Sequence, residues 1–284
     1  MTETDRVSMN VPGVGDIQAL RRPCPACGTD NRDTPAGRYG RDGWQVKDCR
    51  SCGFVFLELV PVYEELFDNL AWKRSTARES KRRHAARPVT YRMSRLTRFR
   101  LHMFPRKRVD DLLIRYATPG NVLDIGCAEG GRLLNLPAAF VPFGIEIEPN
   151  MAAKADAAFS ARGGEAVNAP SLEGLRQFPG GHFTGATLRS YLEHEIRPRE
   201  VLVEIARTLA PGGIAIIKVP NYAALMRHVM GGEWSGFRFP EHVNYFTPDS
   251  LTAMIRGCGL DILRFGWTDR LPTSDNMWMI AVRR

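Results

Sequence analysis

Residues Asn121 to Gly131 read N-V-L-D-I-G-C-A-E-G-G, and this stretch restricts the fold of the chain more than any other. A short apolar run (Val122, Leu123) meets an acid (Asp124). A loop punctuated by Gly126, Gly130 and Gly131 follows, and then a leucine-bearing segment that can open a helix. Strand, glycine turn, helix is the local order of a ligand site in an open α/β sheet. Glycine lets backbone come close to a ligand, and ligands gather at strand carboxyl ends. A Gly-rich loop can equally be a tight turn and nothing more, so the reading depends on what surrounds it.

From Arg106 onward the chain supplies that surrounding. Val109, Leu112, Leu113 and Tyr116 recur at helical spacing, which predicts an amphipathic helix before the first strand. Strand candidates at Val122–Ile125, Pro142–Ile147, Glu165–Val167, Phe183–Leu188, Gly213–Val219, Leu260–Trp267 and Trp278–Arg283 are interleaved with helix candidates. The helices fall at Gly131–Leu136, Asn150–Arg162, Pro198–Leu209 and Pro248–Cys258. Such alternation predicts an α/β fold: a Rossmann-like, doubly wound, mostly parallel sheet of seven strands.

The amino-terminal part has a different grammar. Cys24 and Cys27, then Cys49 and Cys52, form two C-x-x-C-G knuckles with 21 residues between them. Each turn aims two thiolates at one point, and Gly28 or Gly53 relieves the backbone after the second. This is the layout of a zinc ribbon with structural Zn(2+) on Cys24, Cys27, Cys49 and Cys52; a redox dithiol is the competing reading. Cys127 and Cys258 sit singly in apolar patterns and read as buried small residues.

The boundaries that follow are a flexible leader over 1–20, the zinc ribbon over 21–60, a basic and largely helical connector over 61–105, and the α/β domain over 106–284. Pro12, Gly13 and Gly15 break periodicity in the leader, and Val62 to Leu70 is a helix candidate. The net charge of +8 is concentrated: Lys73 to Arg108 holds fourteen Lys or Arg against Glu79 alone, a local +13 that leaves about −5 elsewhere. That block is either a solvated connector, the favoured reading, or a cationic surface for the phosphates of nucleic acid or of a nucleotide-linked substrate. No apolar signal segment is present over Met1–Asn10, and the longest apolar runs, such as Ile214–Ile217, are too short to span a bilayer. A cytoplasmic protein without membrane association is expected.

Taken together, these motifs resemble the class I methyltransferases that use S-adenosylmethionine. L-D-I-G-C-A-E-G-G resembles their first motif. F-G-I-E ends the next strand on Glu146, L-R-S-Y-L-E-H follows the fourth strand, and L-A-P-G-G-I-A-I-I-K-V-P-N is similar to their turn into the fifth. The resemblance implies that Glu146 accepts the two ribose hydroxyls and that the loop from Gly126 to Gly130 lies beside the amino acid part of the cofactor. It further implies that Asp124 and Glu129 serve the cofactor's ammonium, directly or through water, and that Asn168 and Leu188 lie at its adenine side and the fourth strand. For Glu146, capping of the following helix is the structural alternative. Thr184 stands where many members carry an acid. The order of cysteine pairs and catalytic domain also resembles methyltransferases of deoxysugars and related natural products. Those enzymes share the P-E-H-V-N-Y-F element, but this chain has Phe239 where the C-methylating members have tyrosine.

The resemblance implies transfer of a methyl group to a small-molecule acceptor, with a sugar or glycan-precursor hydroxyl as the candidate. An RNA methyltransferase, or a binding module that has lost catalysis, is the alternative. A hydroxyl acceptor needs a base, and histidine suits that task near neutral pH. Two E-H dipeptides offer one: Glu193-His194 after the fourth strand, and Glu241-His242 in the insert after the fifth. The insert, Tyr222 to Asn244, holds Trp234, Phe237, Arg238 and Phe239 among glycines, a composition that suits a mobile cover or acceptor pocket, or equally plain packing.

Overall fold

The computed structural model describes residues 6–12, 15–62, 85 and 108–284. The basic block over 73–108, apart from residues 85 and 108, and the helix expected over Val62–Leu70, apart from Val62, lie outside the described residues. In chain order the first strands are β1 (Arg6–Val11), β2 (Gly15–Arg21), β3 (Gly40–Arg41), β4 (Trp44–Asp48), β5 (Val55–Leu57) and β6 (Leu59–Pro61). Then come α1 (Val109–Tyr116), β7 (Asn121–Ile125), β8 (Val141–Glu146), α2 (Pro149–Ser160), β9 (Glu165–Asn168), α3 (Ser171–Gln177), β10 (Phe183–Arg189), α4 (Pro198–Thr208) and β11 (Leu209–Pro220). The chain ends with α5 (Leu225–Met230), β12 (Asn244–Tyr245), α6 (Pro248–Gly257), β13 (Asp261–Arg264) and β14 (Asn276–Val282).

Two compact units result. The first is assembled from Met1–Arg106, Asn221–Phe246 and Pro272–Asp275; the second from Lys107–Pro220, Thr247–Leu271 and Asn276–Arg284. The α/β region expected as one block over 106–284 therefore surrenders its insert and a short later segment to the first unit.

The second unit is a seven-stranded sheet in the order β13-β14-β11-β10-β7-β8-β9. Strands β7 to β11 are mutually parallel, and β14 runs antiparallel between β11 and β13. The centre of β11, Ile214–Ile217, is wholly buried, as an unbroken apolar run in a parallel sheet demands. The helices bury one stripe each: Val109, Leu112 and Leu113 in α1, and Pro198, Val201, Leu202 and Ile205 in α4. Helix α6 starts in a capping box between Thr247 and Ser250. The segment Gly131–Leu136, expected as a helix, makes only a 3₁₀ turn over Leu133–Asn135. With β8 on one side of β7 and β10 on the other, strand order reverses beside β7, and such a reversal opens a crevice at the carboxyl ends.

In the first unit, β1, β2 and β6 form one antiparallel sheet and β12, β5, β4 and β3 another. The expected leader holds a hairpin: Arg6–Val11 pairs with Gly15–Leu20, and Gly15, which reads as a breaker, opens the second strand at φ 104°. The insert belongs to the first unit. Asn244 and Tyr245 pair with Phe56 and Val55, and Trp234, Phe237 and Phe246 are buried in the same unit as Trp44, Phe54 and Phe56. Arg22, itself 4% exposed, donates to the carbonyls of Leu57 (2.9 Å) and Val243 (2.6 Å) and to Asn244 Oδ1 (2.9 Å), tying the two segments together.

Candidate functional site: strand carboxyl ends and a thiol quartet

In the second unit the loop after β7 is set by three left-handed residues: Gly126 (φ 69°), Ala128 (φ 50°) and Gly130 (φ 81°). Their glycines answer to different needs. Gly126 is exposed, and an added Cβ would meet only the ring of Tyr191, at 3.7 Å, so this stretch of backbone is open to a ligand. Gly130 is buried, and an added Cβ would lie 2.6 Å from the ring of Phe159 on α2. Its missing side chain serves helix packing, which the expectation of a cofactor contact at Gly130 did not foresee.

Glu146, the last residue of β8, is held by backbone. One carboxylate oxygen accepts from Ala128 N (2.8 Å), and the other accepts from Ile147 N and Glu148 N (3.0 Å each). These bonds aim the group and leave about one of its four acceptor positions for a hydroxyl; accepting from two would release one N–H. The helix-capping alternative falls instead to Glu148, which accepts from Asn150 N and Met151 N at the start of α2. Asn168, exposed at the end of β9, donates to the carbonyls of Glu146 (2.9 Å) and Ile147 (3.0 Å), so it braces the turn that carries Glu146.

Asp124 is 1% exposed, bonded to the Thr187 hydroxyl across the β7–β10 pair and to Arg132 at 3.2 Å. Burial pushes its carboxyl above the ordinary range, and Arg132 and Thr187 oppose that shift. It therefore braces the loop, rather than facing solvent as a direct partner for an ammonium. Glu129 is exposed and pairs with Lys154 at 2.7 Å. Leu188 is wholly buried in β10. Beyond it come Ser190, at φ 53°, Tyr191, whose hydroxyl bonds Glu195, and half-buried His194, whose N–H donates to Tyr191 O. Thr187, Arg132 and Tyr191 were not singled out from sequence. For Thr187 the signal was its register opposite Asp124, which needs the sheet order to be read.

In the first unit the two knuckles are copies of one another. Gly28 N donates to Cys24 O and Gly53 N to Cys49 O, each at 2.8 Å, with both glycines left-handed. The four sulfurs converge within 4.8 Å of one another, with Cys24–Cys52 and Cys27–Cys49 at 3.6 Å. A tetrahedral thiolate site with metal–sulfur bonds of about 2.3 Å has edges of about 3.8 Å, so the quartet has the dimensions of a Zn(2+) cage. For Cys49, burial opposes ionisation, but N–H donors of Cys52 and Ser51 prevail and bring the thiol to about 6. Burial drives Cys24 up.

The same unit carries Glu241 and His242. Glu241 is engaged by Arg238 at 2.9 Å, so this acid holds an arginine. His242 is 5% exposed, with Nδ1 at 2.8 Å from the carbonyl of Gly236. A carbonyl only accepts, so Nδ1 carries the proton and a neutral ring leaves Nε2 as its basic nitrogen.

The profile of a methyltransferase domain family matches residues 96–264, more than half of the chain. The chain belongs to that family. It is a class I methyltransferase dependent on S-adenosylmethionine. No curated protein sequence matches it. Solved structures similar to this methyltransferase include a SAM-dependent methyltransferase from Methanosarcina mazei, with 18% identity over 62% of this chain and 99% of that one at a TM-score of 0.47. A methyltransferase from Clostridium acetobutylicum has 13% identity over 61% and 88%, TM-score 0.49. Magnesium protoporphyrin IX methyltransferase from Synechocystis has 17% identity over 62% and 80%, TM-score 0.46. Among the described residues no helix of the methyltransferase is long and apolar enough to cross a membrane.

Proposed function

We propose that this methyltransferase transfers a methyl group to a hydroxyl of a small molecule, with sugars and glycan precursors as the acceptor class, and that its thiol quartet holds a structural zinc ion. The observation that carries the placement of the cofactor is the pairing of the open backbone at Gly126 with the backbone-aimed carboxylate of Glu146, both at strand ends beside the order reversal. The residues fit S-adenosylmethionine: Glu146 takes ribose hydroxyls, Asn168 keeps its turn in place, and the bare backbone at Gly126 leaves room that a side chain would occupy. When bound, the cofactor supplies an electrophilic methyl on a sulfonium.

The remaining work of the chain is alignment, exclusion of water and removal of one proton. Ala128 and Ser190, both left-handed without being glycine, fix the loops after β7 and β10, and strain of this kind marks positions under functional constraint. For removal of that proton His242, whose Nδ1 is held by the Gly236 carbonyl, is the first candidate. His194, in the turn after β10, is the second candidate.

Isothermal titration tests the cofactor site. S-adenosylmethionine should bind the wild type, and Glu146→Ala should weaken it by about tenfold or more, the worth of a charge-assisted hydrogen bond. Equal affinity in the two proteins would sink the assignment. Incubation of cell extract with enzyme and methyl-labelled cofactor, followed by separation into RNA and small molecules, tests the acceptor class. Label confined to RNA would replace the small-molecule reading by the nucleic-acid one.

A further inference from the structure

At the carboxyl ends of β10 and β11, Arg189 lies in register with Lys218. The Lys218 ammonium is half-buried and donates to Ser190 Oγ at 3.1 Å, while Ser190 N donates back to Lys218 O at 2.9 Å. Ser190 adopts φ 53° to make this exchange, a conformation that costs a non-glycine residue roughly 1–2 kcal/mol. Burial holds Lys218 below its ordinary range; Glu193 works against that shift, and Arg189 and Arg132 add to it. Arg189 is lowered in the same way, by burial and then by Arg132, with Asp124 opposing.

Three cations therefore share one sheet edge. Asp124 is buried and committed to Thr187 and Arg132, so its charge is spent. Glu193, 2% exposed, is the acid that acts on Lys218. Against Arg189 and Lys218 it leaves one positive charge in excess at a partly desolvated place, where an arriving anion removes repulsion and gains charge-assisted hydrogen bonds.

We infer that Lys218, seated on Ser190 beside Arg189, is the anion-binding group of the acceptor site, and that the methyl acceptor carries a carboxylate or a phosphate. The inference rests on the cofactor placement given above and names the acceptor's class. The cofactor has a carboxylate of its own, but the strand order separates the two ends. From Glu146 on β8, across β7 and β10, to Lys218 on β11 is three strand spacings, about 14 Å. With the ribose at Glu146 and the amino acid arm along the Gly126 loop, Lys218 falls to what lies beyond the methyl.

The test uses the full chain saturated with S-adenosylhomocysteine and inorganic phosphate as the probe, followed by phosphorus NMR. Phosphate should bind the wild type in the millimolar range. Lys218→Met should weaken it about tenfold or more, and Lys218→Arg should restore most of it, with S-adenosylhomocysteine affinity unchanged throughout. Arg189→Gln is the second variant and should weaken phosphate by about threefold should Lys218→Met fail to fold. Equal phosphate affinity in wild type and Lys218→Met, or no binding to either, overturns the inference. So does a loss of S-adenosylhomocysteine affinity in Lys218→Met that 5′-methylthioadenosine, which lacks the amino acid, does not share; the cations would then serve the cofactor. If the wild type binds no S-adenosylhomocysteine, it is the cofactor placement that fails, and phosphate titration of the protein alone still reads the cation cluster.

Discussion

Gly126 and Gly130 are four residues apart in one motif, both left-handed, and the structure assigns them opposite tasks. Alanine at either position must adopt a left-handed backbone, at roughly 1–2 kcal/mol. At Gly126 the new methyl meets only Tyr191, at 3.7 Å, an ordinary contact. At Gly130 it meets Cε1 and Cζ of Phe159 at 2.6 and 2.8 Å, and that ring is fully buried and has no slack to give. Overpacking of this kind adds about 1–3 kcal/mol. Gly126→Ala should therefore cost about 1–2 kcal/mol of stability and a large part of cofactor affinity, whereas Gly130→Ala should cost about 2–5 kcal/mol of stability. Gly131→Ala, with open space around it, should stay near zero. Urea unfolding followed by circular dichroism gives the three differences. The double variant Gly130→Ala with Phe159→Leu should be more stable than the sum of its singles by about 1–2 kcal/mol, since the smaller side chain makes room. A Gly130→Ala variant no less stable than Gly126→Ala would refute the packing argument.

Other outcomes follow from the same geometry. The N–H of Met151, and then Asn150, hold the Glu148 carboxyl below its ordinary 4.5. Because the folded value lies below the unfolded one, the contribution is complete above about pH 4.5 and is lost as pH falls through the folded value. Glu148→Ala should thus lower Tm at pH 7, and the gap from wild type should close in acid. Elemental analysis should find one zinc per chain, and Cys49→Ser or chelation should lower the unfolding temperature of the first unit; metal-free protein that melts like wild type would remove zinc from the account. His242→Gln should cut kcat about 10²-fold or more with cofactor affinity intact. An unchanged kcat would pass the role of base to His194.

Much of the second unit was legible in the chain because its signals are local. The run Ile214–Ile217, the α4 stripe and the acid at the end of β8 each declare themselves within a few residues. The knuckles were legible for the same reason, since each closes within five residues around its own glycine. What sequence hid was set by partners far away. Nothing near Gly130 announces Phe159, 29 positions on, and nothing in the apolar insert tells that Asn244 pairs with Phe56. The hairpin of β1 and β2 is hidden for a different reason: Gly15 reads as a breaker, although R-V-S-M-N-V and G-D-I-Q-A-L-R on either side alternate as paired strands do. Similarly, Asp124 looked like a ligand for the cofactor because its burial depends on β10 lying alongside β7.

The stitching of the first unit by Arg22 also has a consequence in time. Its partner Asn244 lies 222 positions later. At ribosomal speeds of about 5–20 residues per second, the guanidinium waits roughly 10–40 s for that partner. During that interval the thiol quartet is already complete while β5 lacks its neighbour β12. A metal bound at the quartet would then hold the nascent first unit until the far segment arrives, and the second unit must leave the chain between Pro220 and Thr247 free to go back. Synthesis order, and not only the final contacts, is written into this fold.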